Sequence, residues 1–276
     1  MDHHYHSRNQ TSNPPPPAPP LAGPALWPWN PSMLAALLLL AYPLLCSALR
    51  FQRINSLRRK YPYGRSRAWA AMTDDAAYAV IQALSELECP AVFEKGLQFA
   101  LFRTYGIPSV SALLVQTAQL TRAENVGKRY ADTAALLVEM YANAPGSERA
   151  AEAFARLNYL HGRYIRAGRI GNDDMLYTLA LFMTQPVRWV DRYEWRRVTE
   201  LERCAMGVWH KSMGDGMQIG FQALEGSRRG WRDGLQFYDE LAAWMERYER
   251  EMMRPHRDNY HTAVQTRVLL MSTLPG

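Results

Sequence analysis

KRYADTAALLVEMY, residues 128–141, decides how the chain is read. Leu136, Leu137 and Met140 recur at the spacing of a helical stripe that faces a core. Followed backwards, the same face passes through Thr133, Asp132 and Arg129. A charge removed from water is costly unless it is paired or serves a ligand. The stretch therefore predicts a helix whose inner face meets something other than hydrocarbon. The rest of the chain has to supply it.

Outward from this stretch the helical pattern continues almost without a break. Thr73 before Asp74 and Asp75 signals a helix start. That helix is expected to reach Cys89, where Pro90 stops it. Residues 92–105, 109–120 and 123–143 read as three more, the last closed by Ala-Pro-Gly at 144–146. Ser147 caps a helix to about residue 167, and Asn172 or Asp173 opens one that Pro186 is expected to end. Residues 187–213 and 232–253 give two or three more. No stretch alternates with the period of a strand, and no repeat of about 20–50 residues occurs. An all-α body over 68–276 is predicted, too long and irregular for a simple four-helix bundle.

The amino-terminal part has another character. Residues 1–32 are polar and proline-rich, with PPPPAPP at 14–20. They are expected to form a disordered tail whose His3, His4 and His6 make a loose surface tract. Met33–Leu49, MLAALLLLAYPLLCSAL, is an apolar run at the short end of a membrane span, preceded by Trp27 and Trp29 where interfacial aromatics sit. A buried core helix has a similar composition, and Cys46-Ser47-Ala48 resembles a signal-peptide cleavage site. A cleaved signal, however, carries its cations before the apolar run. Here only Arg8 precedes it, while seven basic residues and no acidic one occupy 50–67. The pattern predicts a single-pass anchor at 33–49, a lumenal amino terminus and a basic cytosolic linker at 50–67.

Those seven cations exceed the net charge of +6, so the rest of the chain lies near −1. That excludes a basic nucleic-acid-binding body of the usual kind. Cys46, Cys89 and Cys204 form no close pair and no C-x-x-C spacing, which fits a reducing compartment. No G-x-G-x-x-G lies in the context a dinucleotide site needs.

Four histidines follow the tail: His161, His210, His256 and His261. In ERAAEAFARLNYLHGRYIRA, residues 148–167, His161 shares an apolar face with Phe154, Leu157 and Ile165. Alone, it reads as a hydrogen-bonded core histidine. The preceding helix changes that, because two consecutive helices joined by a short turn are expected to pack antiparallel. One then offers a lone imidazole and the other Arg129, Asp132 and Thr133. A metal centre with an anion for the arginine accounts for both. Haem satisfies this: its iron takes one axial histidine, its propionates take arginine, and its flat body suits walls of Leu, Met, Phe and Tyr.

From about Tyr42 onward a series of blocks carries a resemblance. They are YPLL…ALR (42–50), GLQFALFRTYGIP (96–108), KRYADT (128–133), DDMLYTLALF (173–182), QPVRWVDRYEWR (185–196), HKSMGDGM (210–217) and GLQFYDEL (234–241). In this order the chain resembles the endoplasmic-reticulum-bound oxygenases of fungal mycophenolic acid biosynthesis, whose superfamily includes the bacterial latex-clearing protein. The resemblance implies an all-helical domain that binds haem b, with His161 as the proximal iron ligand. Arg129 and Thr133 match the superfamily's Arg-x-x-Lys-Thr motif, and Asp132 stands where the latex-clearing protein, a rubber oxygenase, has lysine. It further implies dioxygen-dependent cleavage of a carbon–carbon double bond in a farnesyl-type side chain. Thr133 and Asp132 would act on the oxygen or a proton, and Arg129 on a propionate. A lipophilic isoprenoid substrate would arrive from the endoplasmic reticulum membrane. The chain stops at Gly276, earlier than the family pattern, so a domain shortened at its carboxyl end is expected. The alternative from another class is a non-catalytic, membrane-anchored relative that binds lipid or a partner. Joint retention of Arg129, Thr133 and His161 favours the enzyme.

Other signals are weaker. Gly214-Asp215-Gly216 lacks phosphate-loop spacing and reads as a helix stop. His256 and His261, with Asp258 between them and Pro255 beside them, read as a solvated loop. His210 is a second candidate iron ligand. Trp189, Tyr193, Glu194 and Trp195 read as core with a polar rim.

Overall fold

The computed structural model describes residues 30–62, 69–118 and 122–272. Residues 1–29 of the proline-rich tail, with His3, His4, His6, Trp27 and Trp29, and the cations Arg65 and Arg67, lie outside the described residues, while Pro31 and Ser32 belong to the first helix. No strand occurs among the described residues, so the fold is all-α, as the periodicity predicts. The chain divides into two units, one ending at Gln52 and one beginning at Arg53.

The first unit is the helix α1 (Pro31–Arg50). Asn30 caps it, its side chain accepting from the Ser32 amide at 3.2 Å, and Pro31 occupies the first turn, where a missing N–H costs nothing. Twenty residues at about 1.5 Å each reach roughly 30 Å, the thickness of a bilayer's hydrocarbon core. Its one charge is Arg50 in the last turn, it buries none of its residues, and it is long and apolar enough to cross a membrane.

The second unit holds α2 (Gln52–Lys60), α3 (Asp74–Gln82), α4 (Pro90–Thr104), α5 (Pro108–Thr117), α6 (Ala123–Ala142), α7 (Glu148–Arg166), α8 (Asn172–Tyr193), α9 (Glu200–Gly216), α10 (Gly226–Arg229), α11 (Gly234–Met252) and α12 (Arg257–Ser272). Part of the expected basic linker is thus helical. In α2, Ile54 is buried, Leu57 packs on the core, and Arg53 donates to the Leu87 carbonyl at 2.6 Å. α8 lies at the centre, packed against α4, α9 and α11. Leu176, Leu181, Met183 and Val190 of α8 are sealed from solvent. A Cβ on Gly96 would sit 2.5 Å from the Pro186 Cα, so glycine is what lets α4 lie against α8 backbone to backbone. Gly207 of α9 and Gly234 of α11 do the same, since a Cβ on either would overlap a carbonyl of the other helix.

Three expectations are corrected. Pro186 does not end its helix: α8 continues to Tyr193. Proline removes the N–H that would bond the Phe182 carbonyl, and packing against α4, α9 and α11 carries α8 past the missing bond. The two or three helices expected over 187–213 and 232–253 are the end of α8, then α9 and α11, with a break at 194–199 after which Thr199 and Glu202 form the capping box that starts α9. The solvated loop expected around His261 is α12, which packs on α5. Trp189 is half-buried and Tyr193 exposed, so that cluster is a surface ridge more than a core.

Between α8 and α9 a buried ion cluster ties distant segments together. Arg196 holds Glu202 through two bonds, 2.6 and 2.9 Å, and also grips Glu88, with all three side chains at most 7% exposed. The helix α3 loosens into a π-helical stretch, Ala83–Glu88, that delivers Glu88 to this cluster.

Candidate active site

Where α6 and α7 face the rest of the body, the packing opens into a cavity of about 1010 Å³. This is at the upper end of the roughly 300–1,000 Å³ found for ligand clefts. Its walls come from α4, α5, α6, α7, the first half of α8 and the end of α9. Arg129, Asp132, Thr133 and His161 all line it, together with Leu136, Leu137, Leu157, Leu160, Phe182 and Met213. The apolar stripes of α6 and α7 thus face a partly open cavity.

Each predicted residue has a distinct setting. The ring of His161 is part-buried, and its Nδ1 is sealed from solvent with no hydrogen-bond partner. Burial, and after it the nearby Arg129 charge, pushes its pKa down. The imidazole is uncharged at neutral pH, the form that ligates metals. Arg129 is half-buried and makes no ion pair among the described residues. Thr133 donates its hydroxyl to the Arg129 carbonyl at 2.9 Å, so its oxygen keeps accepting capacity. Asp132 departs from the expected inward orientation. It pairs with Lys128 at 2.6 Å, its side chain is half-exposed, and it stands at the cavity's edge. The Lys128 hydrogen bond, with Lys128, Arg129 and Arg156 charges behind it, holds its carboxyl below the usual range. Asp132 is an anion at neutral pH, an acceptor and not a proton donor.

The sequence did not single out Tyr141. Its hydroxyl lies 2.8 Å from His210 Nε2, and Tyr141 lines the cavity while His210 is fully buried behind it. His210 Nδ1 is 2.8 Å from the Met206 carbonyl, which can only accept, so Nδ1 carries the proton and Tyr141 donates to Nε2. Burial pushes the His210 pKa down to about 4. Both nitrogens are committed, which removes His210 from the candidate iron ligands. No periodicity marks such a pair, because both residues sit on ordinary apolar stripes. His256 and His261 are held in surface contacts of α12, with the Asp258 amide and Arg257 respectively.

The donor set bears on which group fits. No cluster of three metal-ligating side chains exists among the described residues. His161 would be a single protein ligand, which suits a metal whose other ligands arrive with a cofactor. The unpartnered Nδ1, the unpaired Arg129 and the large apolar cavity all fit haem b.

Two curated Penicillium proteins show extensive similarity. The chain is 43% identical over 238 residues to the ER-bound oxygenase mpaB of Penicillium roqueforti (strain FM164), covering 86% of this chain and 80% of that one. It is 41% identical over 247 residues to the ER-bound oxygenase mpaB' of Penicillium brevicompactum, covering 90% of this chain and 58% of the relative. No family model and no solved structure matches.

Proposed function

The chain belongs to the ER-bound oxygenase mpaB family, and from that premise we propose a haem-dependent oxygenase cleaving a carbon–carbon double bond in a farnesyl-type side chain. The observation that carries it is the cavity pairing of a neutral, unpartnered imidazole with an unpaired guanidinium. His161 would ligate the iron and Arg129 would hold a propionate. When bound, haem b supplies the iron chemistry by which dioxygen reacts with an alkene. In the overall change one oxygen atom goes to each alkene carbon, giving two carbonyls without an external reductant.

The chain's own residues do the rest. Leu136, Leu137, Leu157 and Leu160 give an isoprenoid chain an apolar bed and exclude water. Thr133 accepts a hydrogen bond at its oxygen or, by turning from the Arg129 carbonyl, donates one. Asp132, an anion at the edge, accepts a proton or orients a donor. The helix α1 would anchor the protein in the endoplasmic reticulum membrane, amino terminus lumenal and the helical domain cytosolic, where a lipophilic substrate concentrates.

The test is an absorption spectrum and pyridine haemochrome assay on detergent-purified wild type and His161→Ala, oxidised and reduced. A haem-b spectrum in the wild type, lost or shifted in a folded variant, is the expected result. A folded wild type that takes up no haem would overturn the proposal and leave the lipid- or partner-binding alternative.

A further inference from the structure

The lining of the cavity has a charge pattern that an uncharged isoprenoid does not call for. Five cations line it, Lys128, Arg129, Arg156, Arg163 and Arg169, against two acids, Asp132 and Asp174. Both acids are engaged: Asp132 pairs with Lys128, and Asp174 accepts from Ser109 at 2.8 Å and Tyr248 at 2.9 Å. Among the described residues, none of the four arginines has a carboxylate within ion-pair distance. Arg156 and Arg163 lie seven residues apart on α7, two turns along one face, and Arg169 follows at the helix exit. All three are exposed, whereas Arg129 is half-buried beside His161. Exposed arginines on a surface are ordinary. Three at the rim of one apolar cavity, with every lining acid already spoken for, form a cationic collar around a hydrophobic interior.

We infer that the substrate is an amphiphile with a carboxylate head, its apolar chain inside the cavity and its head held at the mouth by Arg163 and Arg169, with Arg156 adding to the field. Guanidinium matches carboxylate through paired N–H donors, and its weak hydration leaves little to give up in making the bond. A plain hydrocarbon would leave the collar without work, and a cationic lipid would be repelled. The inference deepens the proposed function by naming the head group, and it rests on that reading only for what lies deeper in the cavity.

The experiment uses the full chain in phosphatidylcholine nanodiscs, which carry no net charge. It is titrated calorimetrically at neutral pH with dodecanoate and with dodecanol, empty discs serving as blank. Both titrations are run before and after haem loading, with loading measured by pyridine haemochrome. Dodecanoate is expected to bind about tenfold more tightly than dodecanol in both preparations. That preference should vanish in Arg163→Gln/Arg169→Gln, where an unchanged dodecanol affinity reports an intact cavity. High salt should weaken only the dodecanoate signal, a check that needs no variant. Equal binding of the two ligands in wild type overturns the inference, as does a preference that survives the double variant. A preference that haem loading abolishes also overturns it, by reassigning the arginines to propionates. Failure to load haem sinks the oxygenase reading alone, and the dodecanoate-to-dodecanol ratio still decides the collar.

Discussion

The α8–α9–α11 half of the helical domain and the α6–α7 half are built from similar amphipathic stripes and use them in opposite ways. α8 and α9 bury long series of residues, and glycines bring their backbones into direct contact with neighbouring helices. Among their described side chains α6 seals only Val126 and Met140 from solvent, and α7 only Ala150 and Ala153, although each helix spans about five turns. The large side chains of α6 and α7 point at a cavity. An apolar stripe therefore marks a face turned from water, but does not say whether protein or a ligand covers it.

The largest effect expected from breaking this contrast lies in the dense half. Arg196→Ala strips the buried Glu88 and Glu202 of their guanidinium and should cost about 3–5 kcal/mol, read from denaturant midpoints. Arg163→Ala, at the cavity mouth, should leave the midpoint unchanged. A comparable loss in both would mean the two halves are equally packed.

The next effect sits on the border between the halves. His210 has a folded pKa of about 4, below its unfolded value near 6.5. Between these values the unfolded chain binds a proton that the native protein refuses. Stability is therefore lost as pH falls from about 6.5 through about 4, by about 3 kcal/mol in all. His210→Gln keeps an acceptor for Tyr141 and a donor for Met206 but does not titrate. Its melting curves should lack that part of the acid slope, and an unchanged slope would show that His210 is not kept neutral.

Smaller still is the difference between two leucines. Leu181→Ala in the sealed face of α8 should cost about 2–5 kcal/mol, because close-packed neighbours cannot follow the lost atoms. Leu137→Ala on the cavity wall should cost about 1 kcal/mol, since one side of Leu137 meets few protein atoms. Loading the cavity with haem should widen the penalty at Leu137 and leave that at Leu181 alone.

Legibility followed the same division. Helix starts with local chemistry were readable: Thr73 and Ser147 both cap as expected, through the Ala76 and Ala150 amides. The fate of Pro186 was not, because what carries α8 past the missing bond is tertiary packing against α4, α9 and α11. Nor was α12, whose start carries two histidines and a preceding proline and whose burial is limited to Thr262 and Thr266 among its described side chains. In the cavity, Arg129, Thr133 and His161 could be grouped from spacing because they share two consecutive helices. Tyr141 and His210 could not, being 69 residues apart and joined only by tertiary packing.

Asp132 tests the contrast at its finest. A side chain half in water and paired at i, i+4 contributes little to folding, so Asp132→Asn should leave melting and haem content unchanged. Its pKa lies below the usual carboxylate range, first because of the Lys128 hydrogen bond, so the anion persists through neutral pH. If that anion accepts a proton during turnover, wild-type activity on a farnesylated substrate should fall only at acid pH, as the carboxylate is neutralised. Asp132→Asn should then show low activity at every pH and no acid limb from this group. Lys128→Gln should move the wild-type limb upward in pH, because it removes the charge that holds the carboxyl down. An Asp132→Asn profile that overlays the wild type would make the residue a solvated partner of Lys128. The chemistry of the cavity would then rest on His161, Arg129 and Thr133.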